Sequence, residues 1–234
     1  MELLSWGDKG WGDELFFATL MTLAVATAAF LLGLVFGSLG AAAKLSRHGW
    51  LRAIADGYTT IMRGVPDLLV IYLFYFGGSA LVTYVANKWL GTSGFVGINA
   101  FTIGALAIAI LSGAYSTEVI RGAVLAIPKG EIEAARAVGM SRLLLFRRIL
   151  APQALRYALP GLGNVWQLAL KETALISVTG LVEIMRQSTI AAGSTKKPFT
   201  FYAAAAVLYL VLTTLSTYAF QRAEDRSMRG MRRA

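Results

Sequence analysis

Two adjacent charged residues, Lys171 and Glu172, lie within an apolar stretch of the sequence. In a membrane each charge would cost on the order of 3 kcal/mol at the bilayer centre, so residues of this kind usually have a partner or a function. Adjacent positions of a helix point about 100° apart, and the two side chains therefore cannot share one partner. Thr173 and Ser177 follow, and their hydroxyl groups would either line the same region or bond back to the helix. These four residues are candidates for contact with a polar molecule or another chain.

Other residue patterns give no catalytic or nucleotide-binding site. A phosphate-binding P-loop needs Gly-Lys followed by Ser or Thr, and the sequence has no Gly-Lys dipeptide. His48, the single histidine, lies among basic residues, so we interpret it as a solvated interfacial residue rather than a metal ligand or catalytic base. Cysteine is absent, which excludes thiolate metal sites and disulfides. No metal or cofactor is expected on this chain.

The composition indicates the class of protein to which the chain belongs. Of the 234 residues, 56% are hydrophobic and 15% are charged, which excludes an ordinary soluble domain. A helix needs about 20 residues to cross the hydrocarbon core, and five apolar stretches reach that length. The fourth is the weakest because Lys171 and Glu172 interrupt it. The five predicted spans are 15–43, 68–87, a helix that begins near Ala100 within 89–117, 157–182 and 198–221.

The basic residues orient these spans. Lys and Arg favour cytoplasmic loops, and 16 of the 22 fall on one side of the five spans, whereas five fall on the other. The prediction is an all-α integral membrane protein with its N-terminus outside and its C-terminus inside. Without the fourth span, the residues that follow it would change sides, and the excess of Lys and Arg on the inner side would be smaller. Topology thus explains the net charge of +9, and no nucleic-acid partner is expected.

Two local patterns concern how the spans pack and pair. Gly33 and Gly37, and the Leu-Ser-Gly-Ala run at 111–114, are small residues inside spans and favour close helix packing. Arg63 and Asp67 lie four residues apart and would pair on a continuous helix. Pro66 lies between them, so an interrupted helix without pairing remains the alternative, with Arg63 snorkelling to the inner headgroups.

The inner connection at 118–156 is unusually long for a link between helices. Pro128 ends the third span, and the next residues predict a short helix over 131–138 with acidic residues in its first turn. Gly139 suits the left-handed position that ends a helix, and Ser141 is placed to cap the next helix. Composition alone leaves open whether the short helix lies under the headgroups or contacts another protein. On the outer side, 180–186 is a short amphipathic segment expected at the interface.

The loop resembles a known family motif. Glu133-Ala134-Ala135, three residues, Gly139, nine residues, Ile149, one residue, Ala151 and Pro152 resemble the EAA loop of ABC-importer permeases. Six of seven positions match, and Ala151 replaces the usual Leu, which would loosen one apolar contact. The resemblance covers nearly the whole chain and is closest to the Q-type permeases of histidine, lysine/arginine/ornithine and opine importers. Its other matching segments are 58–68, 113–115, Glu118, 121–123, 127–130 and 156–161.

This resemblance implies a single five-span permease domain, 1–234, in the bacterial inner membrane. The short helix would be a cytoplasmic coupling helix between spans three and four, carried by Glu133, Ala134, Ala135, Gly139, Ile149 and Pro152. The implied partners are a second permease, either an M-type paralogue or a copy of this chain, two cytoplasmic ATPases that bind ATP and Mg, and a periplasmic or surface-tethered solute-binding protein. The implied function is ATP-driven import of polar amino acids, basic ones above all, or opines, with no enzymatic activity on this chain.

On this interpretation Glu172 would face the translocation cavity and meet a cationic group of the cargo. Lys171 would pair with the second permease or reach the outer interface, while the alternative is that both residues serve the subunit interface. Two other functions are alternatives. An ion-coupled secondary transporter would need several intramembrane carboxylates or two repeated halves, and a membrane enzyme would need a nucleophile with a base or a metal cluster. The sequence does not identify the amino acid or opine.

Overall fold

The helical segments are seen in a computed structural model, which describes residues 2–7, 10–89, 91, 94, 97 and 99–228. Within these residues the chain forms α-helices joined by short turns and contains no β-strand. Two stretches of π-helix, Leu73–Gly77 and Phe146–Leu150, and a 3₁₀ turn, Thr173–Thr179, continue helices without a break. The α-helices are α1 Gly12–Lys44, α2 Gly49–Gly64, α3 Asp67–Tyr72, α4 Gly78–Trp89, α5 Ala100–Leu125, α6 Lys129–Ala137, α7 Arg142–Leu145, α8 Ala151–Glu172, α9 Ile184–Thr195 and α10 Pro198–Ser227.

Four segments of the described chain are long and apolar enough to cross a membrane. They are α1, the continuous segment Asp67–Trp89, α5 and α10. α5 begins at Ala100, as predicted, because the Asn99 side chain accepts the N–H of Phe101 at 2.8 Å. The predicted span 157–182 corresponds to α8 and the following 3₁₀ turn, and it is not among the four. Lys9, Arg229, Arg232 and Arg233, which contribute to the predicted orientation, lie outside the described residues.

Close packing of α1 against α5 forms the centre of the fold. A Cβ atom on Gly37 would collide with the side chain of Ser116 and lie 3.1 Å from its backbone carbon. The predicted role of the small residues in packing is therefore confirmed. The glycines in this contact are Gly33, Gly37 and Gly40, and they face Ser112, Ser116 and Thr117 respectively.

Apolar side chains from three helices complete the core. Val25 of α1, Ile108 of α5 and Ala169 of α8 are fully buried in one cluster, and Ile176 of the 3₁₀ turn joins them. α8 thus packs on α5 along its length, which brings its C-terminal end, including Glu172, against the interior of the fold.

The start of α9 is held by a buried carboxylate. Glu183 accepts the backbone N–H groups of Met185 (2.9 Å) and Arg186 (2.7 Å) and the hydroxyl of Tyr209 (3.0 Å). Both Glu183 and Ile184 are completely buried. The prediction of an interfacial segment over 180–186 is wrong at these residues, because the carboxylate caps a longer helix that packs inside the fold.

Candidate functional site

The loop between α5 and α8 contains a helix of about two turns. α6 spans Lys129–Ala137, so it begins and ends slightly earlier than the predicted 131–138. Pro128 precedes its first turn with φ −58°, a value that proline fixes in advance. Among the matched residues, Glu133 and Ala134 are exposed, whereas Ala135 is buried and holds α6 against its own chain.

A Schellman motif ends α6. Gly139 has φ +79°, the predicted left-handed conformation. Its N–H donates to the carbonyl of Arg136 (2.9 Å), and the N–H of Met140 donates to that of Ala135 (3.1 Å). Ser141 then caps α7, as predicted, by accepting the N–H of Leu144 at 3.4 Å. The direction of the chain after α6 therefore depends on one glycine.

A π-helical turn connects α7 to α8 and contains Ile149, which is half-buried. Pro152 lies in the first turn of α8 and lacks an N–H. Because a proline ring clashes with the carbonyl four residues earlier, the wider π turn before it relieves that contact. The Gln153 side chain donates to the carboxylate of Glu131 and so joins α8 to α6. This hydrogen bond could not be predicted from the sequence, because it depends on how the loop folds back.

Several large apolar side chains of the loop are exposed. Val138 is 74% exposed and Leu143 is 68% exposed, and Phe146 is also exposed. We call Glu133, Ala134, Val138, Leu143 and Phe146 the loop surface. Large apolar side chains beside a short, charged helix are suited to contact with another protein.

Glu172, at the end of α8, is buried, and its two carboxylate oxygens have no hydrogen-bond partner among the described residues. The carboxyl group of Asp67 lies near enough to interact with it. A buried carboxyl group beside a second carboxyl group and without a basic partner among the described residues is costly in its charged form, so a cation supplied from outside the chain would stabilise that form here.

The neighbours of Glu172 differ in their accessibility. Lys171 is exposed. Thr173 is completely buried, and its hydroxyl donates to the carbonyl of Leu170 (2.7 Å) and lies 3.2 Å from the hydroxyl of Tyr209. It therefore bonds within the fold, which is the second alternative considered from the sequence. Ser177 is half-buried in the 3₁₀ turn, and its carbonyl accepts the N–H of Gly180 at 3.2 Å.

The Arg63–Asp67 pair does not form. α2 ends at Gly64, Val65 and Pro66 are extended, and α3 begins at Asp67, so the two residues do not lie one turn apart on one helix. The Arg63 guanidinium lies over the ring of Tyr115, 5.5 Å from its centroid. Tyr115 also lies near Asp67 and Glu172. The fold thus gathers Arg63, Asp67, Tyr115 and Glu172, which we call the charged cluster; the sequence did not associate Tyr115 with it.

Beside Arg63 lies a polar cleft of about 500 Å³. Lys44 contacts Asp56 at 2.8 Å and Glu118 at 2.5 Å, and Arg121 contacts Glu118 at 2.9 Å. The cleft is lined by Lys44, Thr59, Thr60, Arg63, Gly64, Tyr115 and Glu118.

Tyr58, next to this cleft, links α2 to α5 because its hydroxyl donates to the carbonyl of Ile110 at 2.6 Å. Burial raises the pKa of Tyr58 to about 12, so it remains a donor at neutral pH. Among the residues that the structure describes, no three His, Cys, Asp or Glu side chains converge as metal ligands.

Comparisons with known proteins agree with this geometry. The family model for the binding-protein-dependent transport system inner membrane component matches residues 31–230. The octopine transport system permease protein of Rhizobium radiobacter is 62% identical over 99% of this chain and 98% of its own length. The histidine/lysine/arginine/ornithine transport system permease protein of Escherichia coli K12 is 40% identical over 96% of this chain and 98% of its own.

A solved structure has the same fold. The crystal structure of an amino acid ABC transporter with histidines matches with a TM-score of 0.78 and 32% identity, covering 92% of this chain and 95% of that one. The chain belongs to the binding-protein-dependent transport system inner membrane components and is a permease subunit of an ABC importer.

Proposed function

We propose that this permease carries basic amino acids or opines across the bacterial inner membrane. The observation that supports this cargo class most directly is the carboxyl group of Glu172, which is buried, unpartnered within the described chain and close to Asp67. Such an acidic pair would bind an ammonium or guanidinium group. The relatives named for octopine and for histidine, lysine, arginine and ornithine transport agree with that chemistry, since all of these molecules carry cationic groups.

The proposed topology has five spans, with the N-terminus outside and the C-terminus inside. α8 and its 3₁₀ turn form the fourth span, and their polar residues would face the second permease or the cargo rather than lipid. The distribution of Lys and Arg supports this orientation. On this topology α6 lies in the cytoplasm between the third and fourth spans.

α6 is proposed to be the coupling helix that docks in a groove of an ATPase subunit. Glu133 and Ala134 are exposed toward such a partner, while Ala135, Gly139, Ile149 and Pro152 fix the helix and the chain that leaves it. Two cytoplasmic ATPases would bind ATP and Mg, and their closure would tilt this chain and a second permease from inward to outward opening. The second permease is an M-type paralogue or a copy of this chain, and a solute-binding protein would deliver the cargo. ATP hydrolysis is assigned entirely to the ATPases, and no observation favours the ion-coupled alternative.

The cargo assignment is tested by Glu172→Gln in proteoliposomes that contain the whole importer and saturating loaded binding protein. We expect uptake to fall by about tenfold or more, because one charge-assisted contact with the cargo is lost, while subunit assembly and basal ATPase activity persist. Glu224→Gln, which neutralises a carboxylate at the far end of α10, is the matched control and should transport normally. Unchanged uptake, or loss of assembly instead of uptake, would reject the cargo contact and favour a role of Glu172 at the subunit interface.

A further inference from the structure

An apolar groove of about 560 Å³ lies between α1, α5 and α8. Each of the three helices lines it with the part nearest to the loop. These parts are residues 34–45 of α1, Ile120 and Val124 of α5, and residues 146–162 of the π turn and α8. The loop is cytoplasmic on the proposed topology, so the groove lies at the depth of the inner leaflet, a placement that rests on that proposal.

The groove offers almost no hydrogen bond to an occupant. Among the described residues, Ser38 is the only polar side chain that lines it, and its hydroxyl donates to the carbonyl of Leu34 at 2.7 Å. The large apolar side chains of Leu45, Phe146 and Leu155 line the groove and remain exposed. A polar molecule would lose its hydrogen bonds to water here without replacing them, so the groove is suited to a hydrocarbon chain.

The dimensions of the groove favour a single hydrocarbon chain over a helix of another subunit. From Leu34 to Leu45, α1 rises about 16 Å, which matches the roughly 15 Å of hydrocarbon in one leaflet. Over that length, 560 Å³ corresponds to a mean cross-section of about 35 Å². A helix with its side chains is about 10–12 Å across and would need at least about 80 Å².

Two arginines beside the groove have no opposite charge in this chain. Arg142 precedes the lining residue Phe146 by four positions, so it lies on the same helix face and one turn closer to the loop. Arg147 follows Phe146 directly. Both arginines are exposed, and in the part of the chain that the structure describes neither has a carboxylate within ion-pair distance. Basic groups beside a groove between helices on the cytoplasmic side are typical of sites for anionic lipid headgroups.

We infer that the groove binds one acyl chain of an anionic phospholipid of the inner leaflet, and that the phosphate of this lipid contacts Arg142 and Arg147. A guanidinium suits a phosphate because two of its N–H groups can donate in parallel to two oxygens. Phe146 belongs to both the groove and the loop surface. The bound lipid therefore connects α1 and α5 to the chain between the coupling helix and the fourth span.

The test uses the assembled importer in nanodiscs and two photoreactive lipids, a phosphatidylglycerol and a phosphatidylcholine that carry the same diazirine-bearing acyl chain. After illumination, mass spectrometry identifies the labelled peptides. At equal mole fraction, phosphatidylglycerol should label residues 34–45 and 146–162 about tenfold more than phosphatidylcholine or better, because each arginine near the phosphate contributes about fivefold.

Two sets of variants separate the acyl chain from the headgroup. Ala154→Phe, which fills the groove, should reduce its labelling by both lipids about tenfold or more, whereas Ala206→Phe, at an exposed position of α10 outside the groove, should not. Arg142→Gln combined with Arg147→Gln should lower labelling by phosphatidylglycerol to the level of phosphatidylcholine. Arg226→Gln, which removes an exposed arginine of α10 outside the groove, is the matched control.

Equal labelling by the two lipids in the wild-type importer, or no labelling of the groove, would overturn the inference, since ordinary bilayer contact does not depend on the headgroup. Labelling of the permeases alone that disappears when the ATPases are bound would overturn it as well, because another subunit would then cover the groove. If a variant does not assemble, the comparison of the two lipids in the wild type decides. In right-side-out membrane vesicles, a probe confined to the outer leaflet should leave the groove unlabelled; labelling from that side would reject the proposed topology together with the inner-leaflet site. No cargo is present in these measurements, so their result does not depend on the proposed cargo class.

Discussion

Gly139 fixes the geometry of the loop through its backbone alone. Its φ of +79° is unfavourable for residues with a side chain, and a Cβ atom there would meet no other atom within 4 Å. A substitution is therefore resisted by the backbone conformation and not by crowding. For a β-branched residue the left-handed conformation is worst, and the strain is on the order of 1–3 kcal/mol.

Gly139→Val should accordingly disorder the turn after α6 and reduce co-purification of the ATPases. We expect transport to fall by about tenfold or more while the amount of permease in the membrane stays normal, because the spans are not affected. Gly139→Asn should be milder, since Asn tolerates positive φ. Gly130→Ala, which places a methyl group in the first turn of the same helix with nothing within 4 Å, is the matched control. Normal ATPase co-purification and normal uptake in the Val variant would contradict the coupling assignment.

At the scale of the helices, α1 and α5 can pack this closely only because the residues of α1 in the contact are glycines. Gly37 lies so close to Ser116 that an added methyl group requires the two backbones to separate. Interiors are closely packed, so a shift at one contact is transmitted along the pair. Overpacking of this kind typically costs about 1–3 kcal/mol.

Gly37→Ala should therefore lower the free energy of unfolding by about that amount, measured as a shift in thermal or denaturant midpoint in detergent. Gly122→Ala, in α5 itself but with open space around its Cβ, should be neutral or slightly stabilising. Ser116→Gly combined with Gly37→Ala should restore part of the loss, because it removes the atom that the new methyl group meets. A destabilisation equal in the Gly37 and Gly122 variants would show that packing is not the cause.

Features that depend on neighbouring residues could be predicted from the sequence, whereas features that depend on the packing of helices could not. The roles of Gly139 and Ser141 could be predicted because each acts on backbone groups within three residues. The charged cluster was not predictable, because Tyr115 and Glu172 belong to α5 and α8 and meet Asp67 only through tertiary packing. The environment of Arg63 was only partly predictable. Pro66 indicated that the helix could be interrupted, but the contact of Arg63 with Tyr115 in place of Asp67 depends on how α2 crosses α5.

At the scale of the whole molecule, one lysine joins the three helices α1, α2 and α5. Lys44, the last residue of α1, contacts Asp56 of α2 and Glu118 of α5, and its side chain is only 10% exposed. Glu118 is 23% exposed and also binds Arg121, whereas Asp56 is 63% exposed. Water screens the contact with Asp56 much more than the contact with Glu118, so the two ion pairs of Lys44 contribute unequally to stability.

A double-mutant cycle on Lys44 and Glu118 should measure this inequality. Lys44→Gln and Glu118→Gln should each lower the free energy of unfolding by about 1–3 kcal/mol, because each leaves a largely buried charge with fewer partners. Together they should cost less than the sum, with a coupling of about 1–2 kcal/mol between residues in direct contact. Asp56→Asn should change stability by less than about 0.5 kcal/mol. Because the proposed rigid-body switch would move α1, α2 and α5 as one unit, Lys44→Gln should also lower the amount of cargo imported per ATP hydrolysed. Additive effects, or a Lys44→Gln importer with an unchanged ratio of import to hydrolysis, would show that this network is not what holds the three helices together during transport.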